Sequence, residues 1–244
     1  MTFDAVITAG GRIDGEFATL AGTGVKALAP VGGVAMLQRV IDAVRGSGAR
    51  SIAVVGGEEV SGACGRLVDR IIPEAASGED NVSLALGAWP QSGMLYAASD
   101  LPFVDASSIS EFLDRAAHGA VAMALADADV YDSIFAGSSA HAVVLGRERV
   151  ANGSVFYFPA GTTVATARFA RKLFAARKSA MRMAALLGPE MMLRLAVKRL
   201  RIADIERRAR HLVGVDVCAV RGCAPQICFD VDSLSDYVYA LARA

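Results

Sequence analysis

The first half of the chain alternates short, continuously apolar segments with segments whose apolar residues recur at helical spacing. Short apolar runs bounded by glycine or polar residues predict strands that are buried on both faces. Apolar residues three and four apart, such as Met36, Val40 and Val44, predict amphipathic helices. The predicted strands are 5–8, 51–55, 94–98 and 120–126, and the predicted helices are 34–45, 61–69, 81–88 and 106–117.

This order of elements predicts an α/β fold with a mostly parallel sheet between two layers of helices. The connections between parallel strands are expected to be right-handed. Because ligands of such sheets bind beyond the carboxyl ends of the strands, the loops after residues 8, 55 and 98 are the first candidates for a functional site.

From about residue 141 the alternation weakens. We expect two strands, 141–145 and 155–158, that pair as a ribbon, followed by consecutive helices over 163–210. Two further strands at 215–220 and 226–229 and a closing helix at 234–243 complete the prediction. We interpret residues 1–244 as one domain, with its core at 1–140 and 212–244 and a helical subregion at 141–211.

Composition excludes several classes of protein. The 244 residues are 54% hydrophobic, whereas disordered chains combine low hydrophobicity with high net charge. An uncharged apolar run long enough for a membrane span is missing from the sequence, and Met1 is not followed by the basic region of a secretory signal. The four cysteines lack zinc or disulfide spacing. We therefore expect a cytoplasmic globular protein with reduced thiols.

The net charge of zero hides a strong asymmetry. Residues 168–210 contain 13 Lys and Arg against three acidic residues, and the remainder of the chain is acidic by the same amount. We expect no nucleic-acid partner, because the acidic remainder would repel a phosphate backbone. The basic segment instead faces an anionic ligand, an anionic membrane, or the acidic part of the same protein or of a second copy in a homodimer.

A glycine loop follows the first predicted strand: Thr8, Ala9, Gly10, Gly11 and Arg12. Glycines let backbone N–H groups approach an anion closely, and Arg12 or the later Lys26 would neutralise a phosphate. The loop is neither a Rossmann nor a Walker A sequence. The alternative is an ordinary strand-to-helix turn with solvated basic side chains.

Three acidic residues are candidates for binding a cation. Asp100 follows the strand 94–98, where a carboxylate together with substrate phosphates would suit Mg²⁺. Asp230 and Asp232 would share one face if residues 226–232 were a strand. The alternatives are a turn aspartate before Pro102 for Asp100, and a helix cap at Ser233 for the last segment.

Taken together, these motifs resemble the MobA-like nucleotidyltransferases. The segments that carry the resemblance are ITAGGR, VKALAPVGGVAMLQRVIDAV, YAASDLPFV and CFDVDSLSDYVYALA. They cover about residues 3–45, 78–104 and 226–243. The chain departs from the usual pattern in a longer connection between Gly11 and Lys26, and in Val25, which stands where the family usually has Pro.

The resemblance implies a GT-A-like, Rossmann-type three-layer sandwich with a helical insertion near 163–210. It also implies transfer of a nucleoside monophosphate from an NTP to a phosphorylated small-molecule acceptor, with Mg²⁺ as cofactor and pyrophosphate as product. The paired glycines favour a purine, and GTP and CTP are the expected donors.

By position in the family pattern, the resemblance also implies roles for individual residues. The triphosphate would lie on the loop residues Ala9, Gly10 and Gly11, with Arg12 and Lys26 neutralising its charge. The base would lie on the segment 78–83, at Gly78, Asn81 and Ser83. Asp100 with Asp230 or Asp232 would bind the metal ion, and Arg177 with Lys178 in the basic segment would bind the acceptor phosphate.

Two other functions stay open at this point. One is a glycosyltransferase of the same fold that uses an NDP-sugar, for which Asp127 and Asp129 have the spacing of a metal-binding DxD motif. The other is a nucleotide-binding protein without turnover, which the unusual connection before Lys26 would favour.

Overall fold

The computed structural model describes residues 2–116, 119–138, 142–176 and 179–244. Its strands are β1 Asp4–Thr8, β2 Pro30–Val31, β3 Val34–Ala35, β4 Ile52–Gly56, β5 Arg70–Pro73, β6 Met94–Ala98, β7 Val121–Asp127, β8 Ala142–Leu145, β9 Glu148–Phe158 and β10 Val217–Val220. Its α-helices are α1 Gly15–Ala21, α2 Met36–Gly46, α3 Glu58–Cys64, α4 Gly78–Leu86, α5 Ala106–Arg115, α6 Ala128–Ile134, α7 Thr163–Ala176, α8 Ala180–Leu187, α9 Pro189–Ala196, α10 Ile202–Val213 and α11 Leu234–Leu241. Two 3₁₀ turns occupy Lys26–Leu28 and Pro225–Ile227.

Eight of the strands form one mixed sheet in the order β10-β7-β9-β6-β1-β4-β5, with β8 paired to β9. The pairs β1–β4, β1–β6, β4–β5 and β7–β10 are parallel, and β9 is antiparallel to each of its partners. The predicted mostly parallel α/β sheet is therefore confirmed. The strands β2 and β3 form a separate two-stranded hairpin.

Helices cover both faces of the sheet, because alternate residues of its central strands enter different apolar clusters. Ala5 and Ile7 of β1 pack with α1, α2, α3, α5, α6 and α11, whereas Val6 packs with α4 and α7. A third cluster joins α9 and α10 to β7, β8 and β9. These are the three layers of the predicted sandwich.

Several predicted boundaries shift in ways that local chemistry explains. The helix expected at 61–69 is α3, and it ends early at Cys64. The sequence prediction missed β5, a short edge strand in which only Ile72 is buried. The helix expected at 81–88 is α4, which begins earlier, at Gly78, because the Ser77 hydroxyl accepts the backbone N–H of Asp80 and caps the helix.

The expected ribbon is only partly correct. Residues 142–145 do pair with β9, but they pair with residues 148–151. Residues 155–158 instead pair with β6. The strand β9 is therefore long enough to pair with β8 at its start and with the central sheet at its end. As a result, this part of the predicted subregion 141–211 belongs to the main sheet, while α7 to α10 follow it as consecutive helices. Within the described residues, none of the helices is both long and apolar enough to cross a bilayer.

The strand expected at 226–229 is wrong. Residues 225–227 form a 3₁₀ turn that begins at Pro225, and Cys228 and Phe229 then pass through the core without pairing as a strand. Proline lacks the N–H that a ladder needs, and the backbone of this run makes turn hydrogen bonds, from the Ile227 N–H to the Ala224 carbonyl and from the Cys228 N–H to the Pro225 carbonyl, in place of a ladder. Asp230 and Asp232 consequently do not share a strand face.

Phe229 anchors this segment in an aromatic cluster. Its ring is fully buried and lies 5.0 Å from Phe103 and 4.9 Å from Phe135, between ring centroids. We expect Phe229→Ala to lower the free energy of unfolding by about 3–5 kcal/mol, because a large buried ring is replaced by a cavity. Urea unfolding would measure this change. The exposed Leu20 provides a matched control, since Leu20→Ala should change stability by about 0.5 kcal/mol or less. Equal effects of the two substitutions would contradict the packing described.

An ion pair between the buried Asp4 and the exposed Arg50, at the amino end of β1, makes stability depend on pH. The Asp4 side chain is fully buried, and Arg50 donates to its two oxygens at 2.9 and 2.5 Å. Burial alone raises the pKa of Asp4, but the hydrogen bonds and charge of Arg50 outweigh it and hold that pKa below its usual value.

A carboxylate with a depressed pKa in the folded state stabilises the protein above its unfolded pKa of about 3.9. That contribution is lost as the pH falls through the lower folded value. We therefore expect urea unfolding at pH 7 and pH 3 to show a smaller difference in stability for Asp4→Asn than for the unmodified protein. An identical pH dependence would show that the pair does not act in this way.

Candidate active site

The glycine loop and Asp100 leave the sheet at the same edge. The strands β1 and β6 are parallel neighbours, and Thr8 at the end of β1 pairs with Ala98 at the end of β6. Thr8 also pairs with Val55 near the end of β4. The first two motifs are thus adjacent where ligands bind in open parallel sheets.

The long connection between Gly11 and Lys26 folds back on itself. The Lys26 N–H donates to the Gly11 carbonyl over 2.9 Å, and Arg12 forms an isolated antiparallel bridge with Val25. The two ends of the connection therefore meet, and Lys26 lies beside the glycine loop. A Cβ on Gly11 would sit 3.3 Å from the Lys26 Cε, so the small residue permits this approach.

The residues between these ends include helix α1. Its Phe17 stacks on Tyr237 of α11, with ring centroids 5.0 Å apart. The Val25 N–H donates to the Thr23 hydroxyl over 3.1 Å, a bond that proline at this position would not make. The departures from the family pattern therefore alter the connection and leave the position of the lysine beside the loop intact.

Lys26 joins the carboxylates of two distant segments. Its Nζ lies 2.5 Å from Asp100 Oδ2 and 3.3 Å from Asp232 Oδ1. The Asp100 side chain is mostly buried, whereas 67% of the Asp232 side chain is exposed. Burial alone lowers the pKa of Lys26, but the charges of Asp100 and then Asp232 outweigh it and raise that pKa. The ammonium is therefore firmly charged at neutral pH.

Backbone contacts hold the last segment at this edge. The Val231 N–H donates to the Asp100 carbonyl over 3.0 Å. Ser233 caps α11, with its hydroxyl accepting the Asp236 N–H while the Asp236 carboxylate accepts the Ser233 N–H. The cap proposed as the alternative for this segment is thus present, and it fixes the backbone immediately after Asp232.

Asp230 has different surroundings from Asp232. The Ser154 hydroxyl, on β9, donates to Asp230 Oδ2 over 3.0 Å. The expectation that Asp230 and Asp232 converge from one strand face is wrong, because the segment is not a strand. Only Asp232 of the two contacts Lys26, and Ser154 is a site residue that the sequence prediction did not identify.

The residues at this edge suit a hard divalent cation that is shared with a ligand. Asp100 and Asp232 already converge on one positive charge, the Lys26 ammonium. Among the described residues, no group of three or more His, Cys, Asp or Glu is placed to hold a metal ion. Mg²⁺ is commonly held by one or two carboxylates with substrate phosphates and water as the other ligands, and this arrangement fits that pattern.

Arg12 is engaged by acidic side chains. Its Nη2 lies 2.5 Å from Glu74 Oε1 and 3.6 Å from Glu59 Oε2. The guanidinium must therefore leave or share these carboxylates before it contacts a phosphate. Glu74 follows β5, the strand that the sequence prediction missed, and for this reason the pairing was not predicted.

Two side chains approach Gly10 closely. A Cβ on Gly10 would lie 2.6 Å from Glu74 Oε2 and 2.9 Å from Asn81 Nδ2. The side chains of Glu74 and Asn81 therefore lie directly against the loop. Asn81 Oδ1 accepts the Ala75 N–H over 2.6 Å, which orients the amide NH₂ group.

The other residues expected to bind nucleotide differ in whether their polar groups are already engaged in hydrogen bonds within the protein. The Ala9 N–H donates to the Val55 carbonyl over 2.8 Å, so Ala9 lacks a backbone donor for a phosphate. Gly78 is exposed in the first turn of α4, and the Ser83 hydroxyl donates within that helix to the Glu79 carbonyl. Of the predicted base-reading set, Asn81 alone has a described contact to the loop.

Two further predictions concern residues away from this edge. Arg177 and Lys178, expected to bind an acceptor phosphate, lie outside the described residues. Asp127 and Asp129, the DxD alternative, have structural partners. Asp127 caps α6 by accepting backbone N–H groups, and Asp129 pairs with Arg149.

The fold and this edge together define a nucleotidyltransferase with a GT-A-like fold. A parallel sheet ends in a glycine loop, a lysine returned to that loop, and two carboxylates on the lysine. More specifically, the chain belongs to the MobA-like NTP transferase family, whose model matches residues 5–206. The family predicted from the sequence motifs is thereby confirmed.

Solved structures agree with this assignment. A hypothetical transferase from Thermus thermophilus is 25% identical, with a TM-score of 0.85 over 97% of this chain and 99% of that one. A Mycobacterium tuberculosis protein in complex with manganese is 17% identical, with a TM-score of 0.54 over 100% of both chains. The 2-C-methyl-D-erythritol 4-phosphate cytidylyltransferase from Thermus thermophilus is 19% identical, with a TM-score of 0.55 over 100% of this chain and 98% of that one. The comparison with curated proteins gave no match.

Proposed function

We propose that the protein transfers a nucleoside monophosphate from a Mg²⁺-bound NTP to a phosphorylated small-molecule acceptor and releases pyrophosphate. The observation that carries this proposal is the contact of Lys26 with Asp100 and Asp232 beside the glycine loop. A charged lysine and two convergent carboxylates are what a reaction between two phosphate anions requires, because neutralisation and positioning dominate such transfers.

The protein groups have separate tasks in this proposal. Gly10 and Gly11 let the backbone approach the triphosphate. Lys26 stabilises the negative charge that develops on the leaving pyrophosphate, and Arg12 joins it after release from Glu74. An acceptor that already carries an anionic phosphate needs no general base, so no histidine is assigned a role in the transfer.

Asp100, with Asp232 or Asp230, would hold the metal ion. When bound, Mg²⁺ would supply Lewis-acid polarisation of phosphate oxygens and neutralise part of their negative charge. Lys26 would then exchange its carboxylate partners for phosphate oxygens. The manganese complex of the Mycobacterium tuberculosis protein, which shares the fold, supports a divalent ion in this class.

The base would lie near Asn81, whose NH₂ group is close to the glycine loop. An amide donor beside an acidic side chain, Glu74, offers complementary groups to a base edge that presents both acceptors and donors. Every nucleobase has such an edge, so these two side chains suit base binding in general, and GTP and CTP stay the favoured donors on the sequence resemblance. The cytidylyltransferase activity in the name of one solved relative supports CTP as a candidate.

A thermal-shift screen with ATP, GTP, CTP and UTP, each with and without Mg²⁺, tests the proposal. A ligand at hundredfold to thousandfold excess over Kd raises stability by roughly 2–4 kcal/mol. We expect one or two nucleotides to raise the Tm, and only with Mg²⁺. A pyrophosphate assay against a panel of sugar and polyol phosphates then separates an enzyme from a protein that binds nucleotide without turnover. Stabilisation by NDP-sugars in place of NTPs would contradict the proposal.

A further inference from the structure

The inserted helices α7 to α9, with the turn that follows them, carry strongly exposed apolar side chains. The four most exposed large apolar side chains among the described residues all lie there. They are Met181 at 83%, Val164 at 72%, Leu193 at 65% and Val197 at 53%. Helices that only pack on the sheet would turn such side chains inward, so this exposure needs another explanation.

The same helices carry cations that lack acidic partners. Arg171 pairs with Asp80, and Arg194 pairs with Glu190 and Asp204. Other basic side chains there are exposed, and none forms an ion pair with any residue the structure describes. These are Arg168, Lys172, Arg182, Lys198 and Arg199.

Apolar and basic groups also meet in one groove. A cavity of about 420 Å³ between α7 and α10 is lined by Val164, Phe169, Leu186 and Leu212, with Arg168 and Lys172 on the same face of α7. Apolar walls beside unpaired cations complement an anionic amphiphile better than a fully polar ligand.

The remainder of the chain carries the opposite charge. Residues outside 168–210 have ten more acidic than basic residues. An anionic surface would therefore attract the inserted helices and repel the rest, which orients the molecule as well as binding it. An ion pair joins the inserted helices to the rest of the chain: Arg171 on α7 pairs with Asp80 on α4, the helix that also contains Asn81.

We propose that the outer surface of α7, α8 and α9, together with the turn at 197–199, binds a bilayer that contains anionic lipids. Apolar side chains enter the headgroup region while the cations contact lipid phosphates. Stable binding to the bilayer needs both the apolar side chains and the cations, since either group alone gives weak, reversible attachment.

Co-sedimentation of the full chain with vesicles tests this surface without any nucleotide, so its result is independent of the proposed transfer reaction. Phosphatidylcholine vesicles are compared with vesicles that also contain phosphatidylglycerol. We expect binding to the anionic vesicles only, and a loss of about tenfold or more when NaCl is raised from about 0.05 to about 0.5 M, because salt screens exposed charges. Equal binding to both vesicle types, or to neither, would overturn the proposal.

Variants separate the two components. Arg168→Glu/Lys172→Glu and Met181→Glu/Leu193→Glu should each reduce binding at least about tenfold. The matched control is Leu20→Glu/Val144→Glu, since these side chains are about as exposed as Val197 but lie elsewhere. Thermal unfolding checks that all variants are folded. Unchanged vesicle binding in both test variants would overturn the proposal, as would binding of single-stranded RNA by a protein that ignores anionic vesicles.

Discussion

Replacing Lys26 with methionine is expected to lower the rate of pyrophosphate release by about 10²–10³-fold, the cost typical of losing one preorganised group that stabilises transition-state charge. Methionine keeps much of the length of the side chain and removes the ammonium that contacts Asp100 and Asp232. A steady-state pyrophosphate assay with the NTP identified by thermal shift would measure the change. The conservative variant Lys26→Arg should retain part of the rate, because it keeps the charge.

The control for this experiment is a double variant. Lys26→Met leaves the mostly buried Asp100 without its cation and should cost about 1–3 kcal/mol of stability. Lys26→Met/Asp100→Asn removes both charges, so we expect it to recover stability and not activity. Recovered stability in the double variant would show that the stability loss of Lys26→Met comes from the unpaired Asp100. Full turnover in Lys26→Met itself would show that Lys26 is a structural residue and that its assigned role is wrong.

Asp100→Asn is expected to have the second large effect, a loss of about 10³-fold, since metal-assisted charge stabilisation contributes several kcal/mol to such reactions. The readout that separates a metal role from a structural one is the Mg²⁺ concentration needed for half-maximal rate. It should rise in Asp100→Asn and stay unchanged in Asp132→Asn, an exposed carboxylate paired with Arg149. An unchanged Mg²⁺ requirement in both variants would contradict the assignment.

The same titration distinguishes the two candidates for the second carboxylate. Asp232 contacts Lys26 directly, whereas Asp230 accepts a hydrogen bond from Ser154. Whichever of Asp232→Asn and Asp230→Asn raises the Mg²⁺ requirement identifies the second ligand. The exposure of Asp232 means that its substitution should leave stability nearly unchanged, so a loss of rate there reports on the reaction.

Much of the fold could be predicted because buried parallel strands and amphipathic helices have distinct apolar patterns. The strand at 94–98 was predicted with its observed bounds. The errors fall where tertiary packing overrides local pattern. Residues 226–229 are as apolar as a strand, but Pro225 and the aromatic cluster around Phe229 bury them as an irregular segment.

The candidate site could be predicted only in part, for a related reason. Motifs that follow adjacent strands meet by topology, so the glycine loop and Asp100 lie at one edge of the sheet. Lys26 reaches Asp100 because the connection before it folds back on the loop, which the strand order does not predict. The partners of these motifs come from elements with weak sequence signals. Glu74 follows an edge strand with a single buried residue, and Ser154 lies in the middle of β9, whose central position was not predicted.

A crystal structure with Mg²⁺ and a non-hydrolysable analogue of the preferred NTP tests the central claim most directly. The account predicts the triphosphate against the Gly10–Gly11 backbone, with Lys26 on its oxygens and the metal ion on Asp100. A nucleotide bound elsewhere, such as the cavity of about 520 Å³ between α9 and α10, with Lys26 still on its two carboxylates, would contradict it.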